Sequence, residues 1–159
     1  MYRRILVPVD LDNADKLTKA LELAGETAKQ NDSEVIYVDV VDAVPTMSSR
    51  TEGERMEDRL RNFAQEQAKR HGVTAIGEIA LRSDLHLNVG SDIVKTANET
   101  NCDLIVMASH VPGFKDHIFS SNAGYVASHA PMSVYVIRLC GHHLQAAVLF
   151  DWMKISLSE

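Results

Sequence analysis

The sequence predicts an α/β protein with three layers, α/β/α, built on a five-stranded parallel sheet. Three observations predict it. Five short runs are apolar almost throughout, the pattern of strands covered on both faces rather than on one. Each run is followed by a stretch whose apolar residues recur at helical spacing or by a turn-rich connection. The chain has 159 residues, 45% of them hydrophobic and 24% charged, which suits one folded domain with a real core. A domain of this size buries roughly 70% of the surface its unfolded chain exposes.

The elements follow in order. Arg3 to Asp10 carries the first apolar run, Ile5 to Val9, and reads as a buried strand. Leu11 to Asn13 is a connection in which Asp12 or Asn13 would cap the next helix by accepting from its free N–H groups. Leu17, Ala20, Leu21, Ala24 and Ala28 form one helical stripe, with Lys16, Lys19, Glu22 and Lys29 off it, so a helix runs to about Gln30. Asn31 to Ser33 is a turn, and Glu34 to Val41 a second strand. Asp42 to Ser49, with Pro45, reads as a loop. From about Thr51 a helix buries Met56, Leu60, Phe63, Ala64 and Ala68. Its charged side, Glu54, Arg55, Glu57, Asp58, Arg59 and Arg61, reads as a solvated face. Gly72 stands where a left-handed cap is wanted, and Thr74 to Leu81 is a weaker third strand. Arg82 to Val89 is a loop. Gly90-Ser91 precede a third helix with Ile93, Val94 and Ala97 inward. Asp103 to Ala108 is the fourth strand, Ser109 to Ser121 a polar loop, Asn122 to His129 the fourth helix, ended by Pro131, and Ser133 to Ile137 the fifth strand.

Composition narrows the function. The chain has 16 basic and 22 acidic residues, a net charge of −6, which argues against a general nucleic-acid binder. No apolar run approaches the about 18 residues a membrane helix needs. After Met1 to Arg4, the run Ile5 to Val9 is too short for a secretory signal core. Cys102 and Cys140 form neither a disulfide framework nor a metal motif, so a reducing, cytoplasmic home is expected. The phosphate-loop signature, the dinucleotide glycine fingerprint, paired C-x-x-C, H-E-x-x-H and G-x-S-x-G are all missing from the sequence. No nucleophile is paired with a base, and no catalytic or metal-ligating residue is assigned.

In open parallel sheets, ligands bind beyond the carboxyl ends of the strands, where the strand order reverses. Two loops should therefore matter most, Asp10 to Asn13 and Ser109 to Ser121. Asp10 is an anion at the exit of a buried strand. It can accept from the hydroxyls of a ligand or cap the following helix. Around the second loop stand Met107-Ala108-Ser109-His110-Val111-Pro112-Gly113 and Ser120-Ser121-Asn122-Ala123. With I-L-V-P-V-D (Ile5 to Asp10), D-L-I-V-M-A-S-H (Asp103 to His110), S-N-A (Ser121 to Ala123) and H-A-P-M-S-V-Y-V-I-R (His129 to Arg138), the chain from Arg4 to Arg138 resembles the universal stress proteins. It is similar to their small single-domain branch, which includes the enterobacterial F-type proteins. It also resembles the stress-protein subunit found beside some TRAP transporters for compatible solutes.

The resemblance implies a Rossmann-like fold of the adenine nucleotide alpha hydrolase type over residues 1–138, with 139–159 as a C-terminal extension. It implies ATP as ligand, accompanied by Mg²⁺ or Mn²⁺. Adenine and ribose would sit against Pro8, Val9, Asp10 and Val40, and the phosphates near Met107, Ala108, Ser109, His110, Gly113, Ser120, Ser121 and Asn122. The nucleotide-binding members carry G-x2-G-x9-G-[ST] after the fourth strand, and this chain departs from it. Ala108 takes the place of the first glycine, Val111 stands near the second with Gly113 shortly after, the loop is one residue shorter, and Ser120-Ser121 occupy the last two places. Ala108 and Ser120 then either keep ordinary dihedrals in an altered cradle or weaken binding, since a left-handed non-glycine residue costs about 1–2 kcal/mol. Ser121, Asn122 and Ala123 would begin a helix and offer its free N–H groups to an anion.

Other residues stay open. His110 is a ligand contact or a loop histidine, Lys115 reaches a phosphate or only solvent, and His117 faces solvent. His129 suits a helix end. The fifth strand would be a sheet edge, and the family implies a homodimer through Ser133 to Ile137, with a tetramer as the larger form. A protein partner, such as a transporter, is expected; nucleic acid and membrane insertion are not. The tail, Leu139 to Glu159, is a scar or disordered tail, or an amphipathic segment making a contact through Leu149, Phe150 and Trp152. Cys140, His142 and His143 lack a fixed metal partner set. The functional expectation is an ATP-binding regulatory stress protein. The alternatives are a nucleotide-free partner-binding module and a slow ATPase or self-phosphorylating protein.

Overall fold

The fold was obtained as a computed structural model, which describes residues 1–42, 47–82, 89–109 and 118–138, with the side chains of 42, 47–52, 81, 82 and 118–121 left out. Five parallel strands form one sheet in the order β3-β2-β1-β4-β5. They are β1 (Arg4–Pro8), β2 (Glu34–Asp42), β3 (Thr74–Arg82), β4 (Leu104–Ser109) and β5 (Ser133–Arg138). Helices α1 (Thr18–Asn31), α2 (Met47–His71), α3 (Val89–Glu99) and α4 (Ile118–His129) connect them. The predicted α/β/α layering is therefore what the chain adopts.

The two faces of the sheet carry separate cores. Ile5, Val7, Val35, Tyr37, Leu104 and Val106 point to the side where α1 and α2 pack, with Leu17, Ala20, Leu21, Ala24, Ala28, Leu60 and Ala64 over them. Leu6, Ile36, Val38, Ile105 and Met107 point to the other side, under Ile93, Ala97, Ala123 and Val126 of α3 and α4. That alternation along strands apolar on both sides explains why β1 and β4 show no polar interruption. The stripe predicted for α1 is buried residue by residue. Gly77 of β3 lies under α2, and a Cβ there would come within 2.9 Å of the Leu60 carbonyl oxygen.

Register centres on β1. Arg4 to Pro8 pair with Glu34 to Val38, and Ile5 and Leu6 pair with Leu104 and Ile105. The Val9 N–H donates to the Val38 carbonyl at 2.8 Å, carrying the ladder past the strand's end. At the opposite end the Asp103 carboxylate accepts from the N–H groups of Arg3 and Arg4, which holds the start of β1 against β4. The crossover from β2 and β3 on one side to β4 and β5 on the other falls between β1 and β4.

Several boundaries differ from the sequence reading. The helix expected from Thr51 starts at Met47, because Ser48, Ser49 and Arg50 tolerate a helix although they show no apolar period. The stretch Leu11–Leu17 is a 3-10 segment, kinked at Asn13, instead of a bare connection. Its cap is Asp10, not Asp12 or Asn13: the Asp10 side chain accepts from the Asp12 N–H. Gly90 and Ser91 lie inside α3, which starts at Val89. Helix α4 starts at Ile118, four residues before Asn122. Gly72 does take a left-handed φ of 67°, and its N–H donates to the Ala68 carbonyl.

Candidate functional site

The carboxyl ends of β1 and β2 open into a cleft of about 270 Å³. Its floor is the sheet: Val9 and Asp10 where β1 ends, and Asp39, Val40 and Val41 on β2. Leu11 and Asp12 of the 3-10 segment, Met56 and Arg59 of α2, and Val89 of α3 complete the wall. The volume lies near the lower end of the roughly 300–1,000 Å³ of small-molecule sites. Among the described residues it offers room for a base and a sugar.

Local geometry explains how the polar groups are held. Asp10 leaves β1 with an extended backbone and caps the 3-10 segment. One of its carboxylate oxygens accepts from the Asp12 N–H at 3.0 Å, the other from the Asn13 side-chain amide at 2.8 Å. The capping reading of Asp10 is thus what the structure shows among its described contacts. The Arg59 guanidinium reaches across from α2 to the Asp12 carboxylate at 2.7 Å. Both partners are exposed, so the pair is easily exchanged and worth about 0–1 kcal/mol.

Asp39 is the odd group. Val35 and Tyr37 of β2 face α1 and α2, and the pleat puts Asp39 on the same side. It is half-buried, and its carboxyl is raised from 3.8 to about 6. Burial is the main cause; the negative charges of Asp10 and Asp12 add to it, while Arg59 and the Val40 amide oppose it.

The structure brings together only part of the expected site. Val9, Asp10 and Val40 line the cleft. Pro8 is buried in β1 opposite Val38. Met107 is packed under α3 and α4, and Ala108 faces α1; both are strand residues paired with Val136 and Ile137. Ser109 ends β4 opposite Arg138. His110 and Gly113 lie outside the described residues, as do Lys115, His117 and the tail from 139. Ser120 and Ser121 lie in the first turn of α4, their side chains outside the description. Ala108 and Ser120 accordingly keep strand and helix dihedrals, and neither is left-handed.

The start of α4 changes the anion argument. The N–H groups of its first turn, which have no partner within the helix, precede Asn122. Asn122 is buried, and its side-chain oxygen accepts from the Gly90 N–H at 3.3 Å. It takes up one of the free amides at the start of α3 and fixes α4 against that helix beside Val89. Sequence reasoning missed Asp39, Arg59 and Met56. The available signal was a lone carboxylate inside an apolar strand; Arg59 and Met56 were hidden in an ordinary amphipathic helix.

Comparison with known proteins places this geometry. A model of the universal stress protein family matches residues 1–138. Universal stress protein G of Salmonella typhimurium is 29% identical over 147 residues, covering 87% of this chain and all of that one. A crystal structure of a universal stress protein family member from Burkholderia pseudomallei superposes with a TM-score of 0.64 at 26% identity, covering 86% of this chain and 96% of that one. The Archaeoglobus fulgidus universal stress protein in complex with dAMP superposes with a TM-score of 0.63 at 22% identity, covering 86% and 98%. Among the described residues no helix is long and apolar enough to cross a membrane.

Proposed function

The chain belongs to the universal stress protein family, and on that premise we propose that it is a nucleotide-binding regulatory protein whose ligand is ATP. The observation that carries the reading is the cleft where β1 and β2 end, lined by Val9, Asp10 and Val40. Its apolar wall of Val9, Val40, Met56 and Val89 suits the faces of a base, and its carboxylates suit the hydroxyls of a ribose. A relative of the same fold was solved with dAMP, a ligand of the same class. The triphosphate would run from the cleft towards Ser109 and the first turn of α4, where free N–H groups favour an anion. Among the described residues no group of three His, Cys, Asp or Glu side chains is arranged to hold a metal. An accompanying Mg²⁺ or Mn²⁺ would then be held mainly by the phosphates. Occupancy would act on a homodimer joined at β5, an edge strand with Tyr135 and Val136 exposed, and through it on a protein partner. We place this protein in the cytoplasm.

Thermal unfolding with and without ATP and Mg²⁺, on protein freed of carried-over nucleotide, tests the reading. Ligand at a hundred times its dissociation constant stabilises by about 2.7 kcal/mol, a rise of roughly 5–10 °C for a domain of this size. An ATP-specific rise is expected, smaller in Asp10→Ala. No rise would overturn the reading. A second reading, a partner-binding module without nucleotide, is favoured by one observation: Ala108 and Ser120 lie in regular elements where the family's binding members have glycines. It predicts no rise with any nucleotide. Turnover in excess of binding would instead favour a slow ATPase.

A further inference from the structure

We propose that Asp39, rather than Asp10 alone, is the specificity-determining acceptor of the cleft, taking hydrogen bonds from the donor groups of a neutral nucleoside. The inference rests on the nucleotide reading above and names the residue that would discriminate within it.

Three carboxylates line the cleft, and the two on its floor, Asp10 and Asp39, differ in state. Both oxygens of Asp10 are engaged by Asp12 and Asn13, so that group is committed to shaping the 3-10 segment. Among the described residues no side chain donates a hydrogen bond to Asp39; only the charge of Arg59 and the Val40 amide favour its ionised form. The nearest cation, Arg59, is held by Asp12 at 2.7 Å. A half-buried carboxylate short of donors is an unfavourable arrangement, and it is relieved by a ligand that supplies O–H or N–H groups. An additional anion would meet the repulsion of Asp10, Asp12 and Asp39 together, so the phosphates belong elsewhere. The donors that fit are the ribose hydroxyls or the exocyclic amino group of the base.

The charged groups around Asp39 define its response to pH. Asp10 faces it from the end of β1, Asp12 from the 3-10 segment and Arg59 from α2. Its partner on β3 is the apolar Ile79. Since its carboxyl titrates at about 6, it is ionised at pH 8 and largely protonated at pH 5. A ligand that donates to the ionised form binds more tightly at the higher pH.

Isothermal titration of the full chain with adenosine, which carries no phosphate to titrate, tests this at both values. Wild type should bind about tenfold more weakly at pH 5 than at pH 8. Asp39→Asn should bind about tenfold more weakly than wild type at pH 8 and show no pH dependence. At pH 8 wild type is also titrated with 2′-deoxyadenosine, 3′-deoxyadenosine and purine riboside, which lacks the amino group. The analogue that lacks the donor read by Asp39 should bind wild type about as weakly as Asp39→Asn binds adenosine. It should lose nothing further in the variant. If wild type binds adenosine and Asp39→Asn binds it equally well with the same pH profile, the role of Asp39 is overturned and the cleft keeps its nucleotide. If wild type binds neither adenosine nor ATP at either pH, the nucleotide reading fails and this inference with it.

Discussion

Tyr37 is fully buried beneath α2, its ring set edge-on against Phe63 at 5.3 Å between centroids. Its hydroxyl has no hydrogen-bond partner among the described residues, and burial pushes its ionisation well above the ordinary tyrosine value. The ring contributes packing while the hydroxyl carries an uncompensated desolvation cost. Tyr37→Phe keeps the first and removes the second. It should raise stability by about 1 kcal/mol in urea unfolding, and a loss of stability would show that the hydroxyl is satisfied. Asp39 gives the complementary case. Its carboxyl titrates at 3.8 when unperturbed and at about 6 in the fold. Below pH about 4 both states hold the proton, and Asp39→Asn should match wild type. As pH rises from about 4 to 6 the unfolded chain ionises first and wild type loses stability. Above about 6 the variant should be more stable by about 1 kcal/mol, the full shift being discounted because the group is partly solvated. Equal stabilities at pH 8 would rule out the raised ionisation. Neither residue stood out in the sequence, since Tyr37 and Asp39 both sit in a run that reads simply as a strand.

At the scale of elements, legibility followed burial. Strands β1 and β4 are covered on both faces, so their residues had to be apolar and their limits could be read within a residue. The α1 stripe was readable for the same reason. The helix starts were not. The first turn of α2 (Met47, Ser48, Ser49, Arg50) lacks an apolar period, and Ile118-Phe119 opens α4 inside what reads as a polar loop. The helix ends obey backbone rules instead. After α1, Asp32 takes a left-handed φ of 56° while its N–H bonds the Ala28 carbonyl. This conformation suits glycine. Asp32→Gly should therefore leave stability unchanged or raise it by up to about 1 kcal/mol, measured by thermal unfolding. A clear loss would mean that the Asp32 side chain makes a contact of its own. The candidate cleft was legible in part: Asp10 follows from the rule that strand ends hold ligands, while Val9 and Val40 came only from the resemblance to the family. Asp39 and Arg59 required knowing that α2 folds over the end of β2.

The molecule as a whole has two unequal sheet edges. On β3, Ile76 is exposed; on β5, Tyr135 and Val136 are, and the Tyr2 ring stands edge-on to Tyr135 at 6.0 Å. A dimer through β5 would cover the second edge, which among the described residues has no further strand paired to it and carries apolar side chains. Val136→Lys should shift light-scattering mass towards the monomer without lowering helix content by circular dichroism. An unchanged mass would exclude β5 as the joining edge. The sheet order has a consequence for biosynthesis. Of the five strands, the first to be translated is the middle one of the sheet. Strands β1 to β3 with α1 and α2 can assemble most of one core as they emerge, and Leu104, Val106 and Ala108 of β4 complete it later. The opposite face of Leu6, Ile36 and Val38 stays bare until α3, β4 and α4 have been translated. The nascent chain thus spends much of its synthesis with one greasy side open to water and to its neighbours. A polysome-bound population of this protein should be a client for holding chaperones until the stretch up to His129 is out.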